Sequence, residues 1–92
     1  MEFDALPGGD LVRQGLADLR RGEETVHSLL VSIGAPRLRE LGIDLPSTAA
    51  FPRPEHRLYA LLAESDPDSA HSRYNALIRR LVSFERAIAC VK

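Results

Sequence analysis

The chain has no tryptophan, one cysteine and one lysine, and aromatic residues make up only 5% of it. Each shortage closes something off. A single thiol, Cys90, cannot form an internal disulfide or build a cysteine-based zinc cage, and it points to a reducing compartment. So few aromatics leave little with which to stack nucleic-acid bases. No apolar run approaches the ~20 residues that a membrane span needs. The stretch Met1-Glu2-Phe3-Asp4 is acidic and has no apolar run, so no signal peptide is read there and a cytoplasmic location is expected. No segment alternates apolar and polar residues with β-branched enrichment, which predicts no sheet. No glycine-rich phosphate loop, metal signature or nucleophile–base pair stands out. No enzyme, no cofactor and no metal is therefore expected.

What is present suits a single helical domain. The 92 residues are 45% hydrophobic, too apolar for disorder and too few for two domains. A net charge of −1 exerts no overall pull toward nucleic acid or an anionic membrane. The basic residues are eleven arginines and the terminal Lys92. Arginine suits bidentate contact with carboxylates or phosphates, but codon bias in a GC-rich genome accounts for it more simply.

Residues 1–9 read as a loose arm ending in Pro7-Gly8-Gly9. Asp10 is a good N-cap for a first helix from about Leu11 to Arg21, with Val12, Leu16 and Leu19 on its apolar face and Gly22 as its stop. Gly15, inside that helix, fits a close helix crossing. Glu23-Glu24-Thr25 opens a second helix with Val26, Leu29, Leu30 and Ile33 inward and Gly34 at its end. Pro36 at N1 starts a short third helix that stops at Gly42, with Ile43 folding back on Leu38 in a Schellman turn. The segment 25–42 invites comparison with a helix-turn-helix, but its second helix is too short to lie in a major groove. It reads as a short helix-loop-helix that completes the core. Residues 43–53 form an extended crossover linker, pinned by Leu45 and Phe51. Pro54 starts a fourth helix with Leu58, Leu61 and Leu62 inward.

The last helix is the most regular feature. After an Asp66-Pro67 start it carries Ala70, Tyr74, Leu77, Leu81, Phe84, Ile88 and Val91 at 4-3-4-3 spacing. The expected architecture is an all-α bundle of four to five helices with a long C-terminal helix. About 25 residues of helix span roughly 37 Å, more than any one upstream helix covers. Either two short helices line up along the stripe or a second molecule covers part of it. Tyr74, Leu77, Leu81, Phe84, Ile88 and Val91 are therefore the core spine or the seam of a homodimer.

Other candidates are weaker. Arg73, Arg79, Arg80, Arg86 and Lys92 stand on this helix against one acid, Glu85. They form a candidate ridge for anions, nucleic acid or an acidic partner, although a dipole-matched solvated face explains most of them. Polar Ser72, Arg73 and Asn75 around Tyr74 mark the first place to look for a binding role. His27, His56 and His71 fall on three helices, and only His56, His71 and Glu64 could meet at one turn. Arg21 and His27, five residues apart, give a spacing similar to the Arg-x(4–6)-His pattern of HEPN-type ribonuclease domains. That likeness spans seven residues across Gly22, and no nuclease function is carried over. The preferred functional reading is a non-enzymatic protein-interaction module, an adaptor, regulator or accessory subunit that self-associates or binds a protein partner. A nucleic-acid-binding accessory protein is the alternative.

Overall fold

A computed structural model describes residues 5–45 and 51–91. Four helices make up the described chain: α1 (Gly9–Arg20), α2 (Val26–Glu40), α3 (Pro54–Ser65) and α4 (Ala70–Val91). α2 packs against all three others, whereas α1 and α3 do not pack on each other among the described residues.

Local chemistry fixes the ends of these helices. α1 begins earlier than Asp10 would set it. Gly8 is its N-cap in the left-handed region (φ 72°), and Asp10 lies in the first turn. The reason is tertiary: a Cβ on Gly8 would stand 2.5 Å from the Arg80 carbonyl oxygen. Pro7-Gly8-Gly9 is thus a turn docked on α4 and not part of a loose arm; residues 1–4 lie outside the described residues. Gly22 stops α1 as expected, and it does so in a Schellman turn. Gly22 N–H donates to the Leu19 carbonyl and Glu23 N–H to that of Asp18, at 3.0 and 2.9 Å.

α2 corrects the sequence reading most. Gly34 does not stop a helix and Pro36 does not start one, so 25–42 holds no helix-loop-helix. One helix runs through both, and the bundle has four helices. Pro36 removes one N–H from the ladder, a cost that isolated helices rarely bear. Here Leu29, Leu30, Val31, Ala35 and Leu38 lie on either side of Gly34 or beside Pro36 and are all buried. Their burial favours continuity over the local breakers. Gly34 serves contact instead, since a Cβ there would stand 3.1 Å from both Leu81 methyl carbons and from Glu85 Oε2 on α4. Burial against this crossing holds the Glu85 carboxyl above its usual range, with the Arg37 charge opposing. At the far end Ile43 N–H donates to the Leu38 carbonyl at 3.0 Å, and both residues are buried.

The linker is described only at its two ends. Leu45 is buried, and Phe51 packs on the core while its N–H reaches Ser32 Oγ at 3.4 Å. Residues 46–50 lie outside the described residues. Pro54 opens α3 as expected, after Arg53 in a left-handed conformation (φ 50°). The Asp66 cap does not hold. Asp66, Pro67 and Asp68 form a turn, and α4 starts at Ala70 with Arg73 N–H donating to the Ser69 carbonyl at 2.9 Å.

α4 is therefore 22 residues long. At 1.5 Å per residue it spans ~33 Å, close to the 38 Å longest extent of the molecule. Its stripe divides in two. Leu81, Phe84 and Ile88 are covered within the chain, by α2 at the Gly34 crossing and by the turn before α1 at Gly8. Tyr74 and Leu77 are only half-buried, Ala70 is buried, and Val91 is 59% exposed.

The tightest crossing lies between α1 and α2. A Cβ on Gly15 would overlap the His27 carbonyl and a Val31 methyl. Helix propensity alone favours Gly15→Ala by about 1 kcal/mol. Overpacking against backbone costs about 1–3 kcal/mol and acts the other way. We expect Gly15→Ala to lower stability in urea unfolding; a stabilised variant would show that the crossing has slack.

Candidate interaction groove between α2 and α4

The crossing at Gly15 brings the end of α1 beside the start of α2, where a polar network fixes the geometry. Asp18 is 4% exposed. Its carboxylate accepts from Thr25 Oγ1 at 2.7 Å and from Gln14 Nε2 at 2.9 Å, and it pairs with Arg21. Thr25 Oγ1 in turn accepts from Ser28 N–H at 3.1 Å, while Ser28 Oγ accepts from Thr25 N–H at 2.8 Å. This is a capping box in which serine replaces the usual glutamate. Ser28 Oγ also donates to the Glu23 carbonyl at 2.8 Å. The Thr25 hydrogen bond first, then Gln14 and the Arg21 and His27 charges, hold the Asp18 carboxyl below its usual range; burial opposes them. Outside this network, Arg57 grips Glu24 with both arms of its fork (2.6 and 3.2 Å) and ties α3 to the same end of α2.

The positioned start of α2 forms one wall of a groove of about 440 Å³. Val26 and His27 line it from α2, and Arg73, Ala76, Leu77 and Arg80 from α4. The groove therefore gathers two of the candidate arginines and one member of the half-covered stripe. Arg80 also pairs with Asp10 of α1 at 3.0 Å, both side chains being more than half exposed. An exposed pair of this kind contributes little to stability. Among the described residues Arg73 forms no ion pair.

The other candidates disperse. Arg79 and Arg86 lie seven apart on the solvent side of α4 and stay exposed, away from the groove. Tyr74 sits on the α3 side, with its ring centroid 5.7 Å from that of Tyr59. Burial, then the Glu55 charge, holds its phenol above the usual range. His71 lies at 6.5 Å from the Tyr59 ring, and its Nε2 meets Asn75 Nδ2 at 3.2 Å. It forms no metal cluster with His56 and Glu64; no three His, Cys, Asp or Glu side chains among the described residues could hold a metal ion. Arg21 is engaged by Asp18 and Glu23, while His27 lines the groove. Cys90 is a free, exposed thiol. No helix among the described residues is long and apolar enough to cross a membrane.

Sequence reasoning reached the α4 wall of this groove through the stripe and the arginines. It missed Val26 and His27 as lining residues and Asp10 as the partner of Arg80. Thr25 before a helix was a readable cap signal, but nothing local joins residue 10 to residue 80.

No known protein family matches the chain, and neither a curated protein nor a solved structure matches it.

The Asp18 network makes stability depend on pH. Its folded pKa lies below the unfolded value near 3.8. The stabilisation is therefore complete above that value and is lost as pH falls through the folded pKa. Asp18→Asn should lower the melting temperature most at about pH 7, with the gap to the wild type narrowing toward about pH 3. A gap that stays constant over this range would contradict the assignment.

Proposed function

We propose that this chain is a non-enzymatic protein-interaction module, an adaptor, regulator or accessory subunit, with the N-terminal half of α4 and its groove as the contact surface. The observation that carries this reading is the split stripe. Leu81, Phe84 and Ile88 are spent on the chain's own core, while Tyr74 and Leu77 keep apolar surface in the open beside exposed Ala76. Half-covered apolar surface next to a groove and rimmed by charge is what a docking site presents. The exposed, unpaired Cys90 suits a reducing compartment such as the cytoplasm. The nucleic-acid alternative is less favoured, because the arginines do not form one ridge: Arg73 and Arg80 flank the groove and Arg79 and Arg86 face away.

A photo-reactive amino acid in place of Ala76 should give cross-linked protein adducts in cells, while the same group at Arg86 gives none. Equal labelling from both positions, or none from either, would remove the reading. Self-association belongs to the same reading. A second copy would meet α4 at Tyr74 or Val91, since Leu81, Phe84 and Ile88 are already covered. Sedimentation as a monomer at about 100 μM, far above the Kd of a stable dimer, would eliminate this homodimer and leave a different protein as the partner.

A further inference from the structure

The groove has a chemical polarity as well as a shape. Val26, Ala76 and Leu77 give it an apolar floor, Arg73, Arg80 and His27 give it nitrogen donors, and no acidic residue is among the described residues that line it. Arg73 and Arg80 are seven residues apart, two turns of helix, so they stand almost in line and about 10.5 Å apart along the axis. Ala76 and Leu77 lie between them. Ala76 is exposed and small, which leaves room above the floor.

We infer that this groove docks an acidic amphipathic helix of another protein. Two carboxylates at i and i+7 of that helix match the arginine spacing, one on Arg73 and one on Arg80. An apolar side chain at i+3 or i+4 then falls between them, on Ala76 and Leu77 against Val26. A volume of about 440 Å³ holds side chains of a partner and leaves its backbone outside. This inference rests on the interaction-module reading and names the chemistry of the partner.

Charge argues against a second copy in the same place. An antiparallel α4 laid about Ala76 and Leu77 puts the Arg73 of each chain opposite the Arg80 of the other, four guanidinium groups together. A nucleic acid finds no Phe, Tyr or Trp among the described lining residues and only the His27 imidazole on which to stack. The Asp10–Arg80 pair fits the carboxylate reading. Asp10 supplies from within the chain the kind of group a partner would bring, and it competes for one of the two arginines. Removing it should therefore strengthen binding.

The test uses fluorescence anisotropy with a labelled helical peptide carrying Glu at i and i+7 and Leu at i+3 and i+4. Controls are the same peptide with Gln for both Glu and a single-stranded oligonucleotide. The acidic peptide should bind, and the Gln peptide should bind about tenfold more weakly. Arg73→Gln with Arg80→Gln should cost about tenfold, and Asp10→Asn should gain about two- to threefold. Arg79→Gln with Arg86→Gln, on the solvent side, should change nothing. Unchanged thermal melting of each variant shows that it is folded. No binding at about 1 mM, a far weaker limit than specific docking requires, overturns the inference. So does equal binding of both peptides, a loss on Asp10→Asn, or arginine-dependent binding of the oligonucleotide alone. Position-76 adducts undiminished by the Arg73/Arg80 double variant also overturn it, but they leave the interaction-module reading standing.

Discussion

The unbroken course of α2 is the constraint on which the rest of this structure depends. It packs against every other helix, as α4 also does, and it runs through a glycine and a proline to do so. Its start is fixed by the Thr25–Ser28 box on the Asp18 carboxylate and its end by the Gly42–Ile43 turn. Were it two short helices, Gly34 would not lie against Leu81, and the C-terminal half of α4 would lose its cover. Burial of Leu29, Leu30, Val31, Ala35 and Leu38 outweighs the missing backbone hydrogen bond at Pro36, because a break would expose part of that set.

The sequence carries the fold where its signals are local. Gly22, the Gly42–Ile43 pair and Pro54 mark helix ends by backbone chemistry that needs no tertiary partner, and all three act as read. The stripe on α4 follows from periodicity alone. Legibility fails where distant contacts override local preference. Gly34 and Pro36 look like breakers because their cost is local and their compensation is not. Asp66-Pro67 has the pattern of a cap, yet the chain first makes a turn and the helix begins from the Ser69 carbonyl. Gly8 looks like slack and is in fact pressed against the backbone of α4. The groove is half legible for the same reason: Arg73, Leu77 and Arg80 are spaced on one helix, whereas Val26, His27 and Asp10 arrive through tertiary packing.

The expected alternatives for covering α4 meet a mixed outcome. The chain's own helices cover the Leu81–Ile88 portion, because α2 is long enough once it is continuous. They cover Tyr74 and Leu77 only in part, because α3 approaches on one side and the start of α2 stands off on the other. A regular heptad in one helix is therefore buried in one stretch and partly open in another. Spacing cannot separate the two stretches; the helices that lie against each do.

Two carboxylates, buried Asp18 and partly buried Glu85, have their pKa values shifted in opposite directions. Glu85 has its pKa raised by burial at the Gly34 crossing, so taking up a proton favours the folded chain as pH falls toward the unfolded value of 4.5. Asp18 has its pKa lowered, so protonating it at still lower pH favours unfolding. Gentle acidification thus relieves a partly buried charge at the α2–α4 contact, and stronger acid then removes a stabilising charge at the α1–α2 corner. The two helix contacts of one small bundle answer acid in sequence, and in contrary directions.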